Sequence, residues 1–180
     1  MHGYISRDKE KKLLSALSRS PAVAILGPRQ SGKSTTAKVI LKNYPSVYLD
    51  LQDRVERNKL AEPELFFDRY RDKLICLDEI QLLPEFFSVL RSEIDKDRRP
   101  GRFLILGSAS RDLIKQSTES LAGRIAYIDL TPFTIKEVAE ISTWSDIWLR
   151  GGFPESATAK DDTDSFDWRR DFIRTYMERD

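Results

Sequence analysis

Gly27-Pro28-Arg29-Gln30-Ser31-Gly32-Lys33-Ser34 is the stretch that decides how this 180-residue chain is read. It meets the phosphate-binding loop pattern G-x-x-x-x-G-K-[ST] at every fixed position. The pattern has meaning only where a buried strand feeds the loop and a helix leaves it, because backbone N–H groups and a helix N-terminus must face the phosphates. Both flanks are present. Ala22-Val23-Ala24-Ile25-Leu26 is an unbroken apolar run, as expected of a parallel strand covered on both faces. Residues 34–43 read as a helix that stops before Pro45.

The chemistry follows from the residue types. Gly27 and Gly32 allow backbone angles and close approaches that a Cβ would block, Lys33 reaches the β- and γ-phosphates, and Ser34 offers its hydroxyl to Mg²⁺. The expected nucleotide-binding set is Gly27, Pro28, Arg29, Gln30, Ser31, Gly32, Lys33, Ser34 and Thr35. An ordinary glycine-containing turn between strand and helix is the bland alternative.

Working outward, Ser46 to Leu51 reads as a second strand and residues 53–71 as a charged helical connection around Pro63, with Leu65, Phe66 and Phe67 as core anchors. Lys73-Leu74-Ile75-Cys76-Leu77 is a third strand, and it runs straight into Asp78-Glu79. Two acids after an apolar strand, downstream of a phosphate loop, form the Walker B arrangement. Asp78 is expected to hold Mg²⁺ and Glu79 to activate the attacking water. Phe86, Leu90 and Ile94 then mark the apolar face of a helix opened by Pro84.

Arg102 to Leu106 is a fourth strand ending in Gly107-Ser108-Ala109-Ser110. Ser108 reads equally as a group presented to the γ-phosphate and as a cap for a helix beginning near Arg111. Ile125 to Leu130 is the fifth strand, with Arg124 at its mouth. A guanidinium there stabilises transition-state charge in its own or a neighbouring site, or it is a salt-bridged surface group. Thr134 precedes a helix over 135–141, Trp144, Trp148 and Phe153 read as core aromatics, and 159–165 reads as a polar loop. Trp168, Phe172, Ile173 and Tyr176 recur at helical spacing, so the chain ends on an amphipathic helix whose apolar face needs a partner.

Composition narrows the classes further. Hydrophobic residues at 40%, charged residues at 33% and a net charge of +1 describe a globular chain with no overall attraction to nucleic acid. No apolar run is long enough to span a membrane and the N-terminus lacks a signal-peptide core, so a cytoplasmic location is expected. One cysteine, Cys76, and one histidine, His2, leave no basis for an intrachain disulfide, a zinc site or a histidine triad.

Taken together, residues 27–34, Leu-Asp-Glu-Ile-Gln (77–81), Leu-Gly-Ser-Ala-Ser (106–110) and Ser-Leu-Ala-Gly-Arg (120–124) resemble the AAA+ ATPases of the archaeal-ATPase-like group. That resemblance implies a three-layer α/β/α P-loop NTPase sandwich, its mainly parallel five-stranded sheet in the order 5-1-4-3-2. It implies Mg²⁺-dependent ATP hydrolysis, with ATP and Mg²⁺ as ligands and homo-oligomerisation as an option. It places Lys33, Glu79, Ser108 and Arg124 in catalytic or sensing roles and Ser34 and Asp78 on the metal. Residues 1–134 would form the ATPase core and 135–180 a helical extension, with 149–155 and 174–180 resembling the junction into a further domain. Nucleic acid would be contacted only through that domain. One departure is Leu106, where relatives commonly carry threonine. A nucleotide-gated switch with little hydrolysis is the alternative function, and the guanine-reading N-K-x-D pattern is absent, Asn58-Lys59 being followed by Leu60-Ala61.

Overall fold

A computed structural model describes residues 3–108 and 119–177. Nine helices and five strands follow in order among these residues: α1 (Glu10–Leu17), β1 (Ala22–Gly27), α2 (Lys33–Leu41), β2 (Ser46–Asp50), α3 (Arg54–Asn58), α4 (Pro63–Arg69), β3 (Leu74–Asp78), α5 (Phe86–Lys96), β4 (Phe103–Ser108) and β5 (Ile125–Asp129). After them come α6 (Ile135–Val138), α7 (Trp144–Arg150), α8 (Pro154–Ala157) and α9 (Asp162–Met177). A 3₁₀ turn spans Ile80–Leu82. The helix expected near Arg111 lies outside the described residues.

All five strands are parallel and lie in the order β2-β3-β4-β1-β5, which is 5-1-4-3-2 read from the other edge. Strands buried on both faces need apolar residues at every position, and β1, β3 and most of β4 have them. Alternation sorts these side chains into two cores. Ala22, Ala24, Leu26, Ile75, Leu77, Phe103 and Ile105 pack with Phe66 and Phe67 of α4 and Phe86, Phe87, Leu90 and Ile94 of α5. Val23, Ile25, Cys76, Leu104, Leu106 and Ile128 pack with Leu13 and Leu17 of α1 and Ala37, Ile40 and Leu41 of α2. The product is a three-layer α/β/α sandwich.

Two compact units emerge. One comprises residues 9–28 and 33–130 and contains the sheet; the other gathers 3–8, 29–32 and 131–177. In the second unit, α6 opens with a capping box between Thr134 and Glu137, and α7 opens with another between Thr143 and Asp146. Gly152 is obligatory here, because a Cβ would stand 2.2 Å from the Phe133 carbonyl oxygen. Phe153 packs on Trp168 and Phe172 of α9.

Three expectations are corrected. Leu65 is exposed while Phe66 and Phe67 are buried, because α4 turns only one face inward. Trp144 and Trp148 are not core: at 59% and 78% exposure they stack on each other at 5.2 Å, one helical turn apart. The polar loop is shorter than expected, since α9 starts at Asp162.

Candidate functional site

In a parallel sheet all strand C-termini lie along one edge, and the chemistry-bearing residues gather there. Gly27 at the end of β1 is in register with Ser108 at the end of β4, and Asp78 at the end of β3 is in register with Asp50 of β2. Beyond Gly27 the chain turns through Gln30 at φ +60° and Gly32 at φ +91° before α2 begins at Lys33. Left-handed angles suit glycine, which explains the fixed Gly32. The Lys33 ammonium is buried and donates to the carbonyls of Gly27 at 3.1 Å and Pro28 at 2.7 Å. Ser34 is half-buried and Thr35 exposed on the first turn of α2.

Within the second unit the loop tip is held by a residue that no motif marks. Arg7, 4% exposed, donates through Nη1 to the Ser31 carbonyl at 2.9 Å and through Nε to Glu137 at 3.1 Å. Its Nη2 donates to the Thr131 carbonyl at 2.6 Å, and its guanidinium lies over the Phe133 ring. Burial pushes the Glu137 carboxyl up, but amide donors from Thr134 and Asp8 and the Arg7 charge outweigh it and hold the group below its usual range. The Ser31 hydroxyl is fully buried and has no hydrogen-bond partner among the described residues.

Asp78 is 3% exposed, and neutral donors hold it: the Tyr48 hydroxyl on Oδ2 and the Glu79 amide on Oδ1 at 2.9 Å. Burial, then the neighbouring carboxylate, push the Tyr48 phenol well above its usual value, so it remains a donor. Glu79 adopts φ +59° and ψ +44°, the left-handed region, which costs a non-glycine residue about 1–3 kcal/mol. Its carboxylate accepts from the Gln81 side-chain amide. Burial raises the Cys76 thiol, leaving it inert in the core.

Arg124 is elsewhere. It precedes β5, and its carbonyl accepts from the Ala22 amide at the start of β1, so it marks the opposite edge of the sheet from Gly27. Both its Nε and Nη2 bond Asp95, at 2.9 and 2.8 Å. Of the alternatives open for Arg124, the salt-bridged arginine is the one seen in this chain, and six residues of strand separate it from the edge that carries Gly27. Ser108 stays beside the loop, whereas the capping alternative involves residues outside the described set.

The fold and this edge define a P-loop NTPase of the archaeal-ATPase-like kind. A family model described as an AAA domain matches residues 19–139, so the chain belongs to that family; a domain of unknown function matches 141–180. Uncharacterized proteins of Mycobacterium tuberculosis and Mycobacterium bovis are each 42% identical over 97% of the chain. The chain spans 39% of the length of these relatives. Among solved structures, a Walker-type ATPase of Pyrococcus abyssi superposes with a TM-score of 0.65 at 18% identity, over 98% of this chain and 75% of that one. AMPPCP-bound DnaA of Aquifex aeolicus gives 0.53 at 16% identity, over 89% and 61%. At these identities the likeness is one of fold. Among the described residues no helix is long and apolar enough to cross a membrane.

Proposed function

We propose that the chain binds ATP with Mg²⁺ and hydrolyses it to ADP and phosphate, coupling the cycle to a conformational change. The observation that carries this reading is the shared edge: Gly27 in register with Ser108, and Asp78-Glu79 closing the next strand. The residues also suit the ion. Asp78 and Ser34 offer hard oxygen donors, and a buried carboxylate whose donors among the described residues are a phenol and a backbone amide is favourably placed for a cation. Among the described residues no cluster of three or more His, Cys, Asp or Glu could hold a metal. Magnesium characteristically takes one or two carboxylates, waters and phosphate oxygens instead.

When bound, Mg²⁺ neutralises charge on the β- and γ-phosphates. Lys33 exchanges its loop carbonyls for phosphate oxygens. Glu79 orients a water in line with the γ-phosphate and takes its proton as the new P–O bond forms and the bond to ADP breaks. The Ser108 hydroxyl reports on the γ-phosphate from the adjacent strand, and residues 27–35 cradle the anion. We assign residues 1–134 to the ATPase core and 135–180 to a helical extension.

Lys33→Ala removes a charged donor, so ATP affinity measured by calorimetry should fall roughly 10–100-fold. Unchanged affinity would sink the assignment. Glu79→Gln should keep ATP affinity and lower phosphate release about 10²–10⁴-fold. A second reading, an ATP-gated switch with little intrinsic turnover, is favoured by one observation: Arg124 is tied to Asp95 at the far edge of the sheet. If the finger comes from another copy or partner, its lack in an isolated chain costs 10³–10⁵ in rate. Phosphate release that rises with protein concentration per chain would support supply in trans.

A further inference from the structure

Tyr48 carries a role that the motifs do not assign. On the edge strand β2 it is in register with Cys76, and Asp78 lies two residues further along β3 on the same face. Across a parallel pair with strands about 4.8 Å apart and about 3.3 Å of rise per residue, such diagonal neighbours stand roughly 8 Å apart at the backbone, a gap an aromatic side chain can bridge. The Tyr48 hydroxyl does bridge it, reaching Oδ2 of Asp78. Lys38 of α2, the helix that leaves the loop, places its ammonium 4.7 Å from the centre of the Tyr48 ring. The ring is thus fixed from the α2 side and the hydroxyl from the β3 side.

We propose that Tyr48 is a positioning residue for the metal-binding carboxylate: it pins the plane of Asp78 so that the remaining lone pairs face the cation. This inference rests on the ATP·Mg²⁺ reading above. Each carboxylate oxygen has two lone pairs, so the Tyr48 hydroxyl on Oδ2 and the Glu79 amide on Oδ1 leave acceptor capacity on both. Two donors, one from β2 and one from the residue just past β3, fix the rotamer that a single terminal torsion would otherwise leave broad. Outer partners of this kind set ligand orientation, and their loss typically reduces metal affinity about 10–100-fold. Phenylalanine at position 48 keeps the ring, its packing and its contact with Lys38, and removes only the donor.

The test uses the full chain saturated with a non-hydrolysable ATP analogue and titrated with Mn²⁺, free Mn²⁺ being read by electron paramagnetic resonance. Tyr48→Phe should weaken Mn²⁺ binding about 10–100-fold while the melting temperature and the analogue's affinity in chelator stay at wild-type values. Wild-type Mn²⁺ affinity in folded Tyr48→Phe overturns the proposal. Lys38→Met, which keeps the hydroxyl, should hold Mn²⁺ within a few-fold of wild type; a loss as large as that of Tyr48→Phe would overturn it, since general loosening of β2 would then be the cause. If the wild-type chain itself binds neither analogue nor Mn²⁺, the parent ATP reading fails and this one with it.

Discussion

The two edges of the one sheet hold their buried carboxylates in different ways. At the N-terminal edge Glu93 and Asp95 are each matched with arginine. Glu93 meets Arg102 at 2.9 Å with both side chains 3% exposed, and Asp95 receives both arms of Arg124. At the C-terminal edge Asp78 is equally buried but is held by a phenol and an amide, Glu79 sits at a strained backbone angle, and Lys33 leans on loop carbonyls. Charges matched inside the chain serve the fold. Asp78, whose donors among the described residues are a phenol and an amide, keeps acceptor capacity that Glu93 and Asp95 have given to arginine.

That contrast can be broken at several points, and the largest effect belongs to the matched edge. Glu93→Leu leaves the Arg102 guanidinium buried without its partner, and cutting one half of such a pair costs about 3–5 kcal/mol. The melting temperature should drop by about 10 °C. ATP affinity of the protein still folded at low temperature should not move, and a matching loss of binding would erase the distinction between the edges.

Next comes Asp78→Ala. It should lower Mg²⁺-dependent phosphate release at least about 100-fold while leaving the melting temperature level or slightly raised, because a buried carboxylate with neutral partners stabilises little. A large thermal loss would mean that Asp78 is structural.

A smaller effect is expected from acid. Hydrogen bonds from Arg124 first and Arg98 second hold the Asp95 carboxyl down at about 2. A group depressed from an unfolded value near 4 contributes stability that is present above about pH 4 and lost as pH falls through about 2. Arg124→Ala should therefore flatten the stability profile in that window: a small loss of stability at pH 7 that shrinks on acidification and vanishes below about pH 2, as followed by denaturant melts. The least effect is expected of Trp148→Ser, whose ring is mostly solvent-exposed: the melting temperature should stay within a degree or two.

Much of this was legible beforehand because doubly covered strands have nowhere to put a polar residue. Residues 22–26, 74–77 and 103–106 could be read as strands from apolar continuity alone, and the loop and the acid pair stand at their ends. What escaped depends on register and distance. Tyr48 reaches Asp78 only because β2 and β3 pair in one alignment, and Arg7 finds Ser31 across 24 residues of chain; neither relation leaves a local pattern. The alternatives for Arg124 stayed open for the same reason. A residue before a strand and one after it look alike in sequence, but in a parallel sheet they lie at opposite edges. Trp144 and Trp148 follow a helical period whether their face is covered or bare.

The place of β1 between β4 and β5 has a consequence in time. Its neighbours are β4 and β5, whose first residues are Phe103 and Ile125, so the strand that carries the loop is made early and paired last. Closing so long a stretch before any ladder bond forms is entropically slow. During synthesis the segment through Ser34 has to wait, unpaired and apolar, until most of the sheet has left the ribosome. Chains halted before Phe103 should therefore retain no ATP on an affinity resin, and capture should begin only once β4 has emerged.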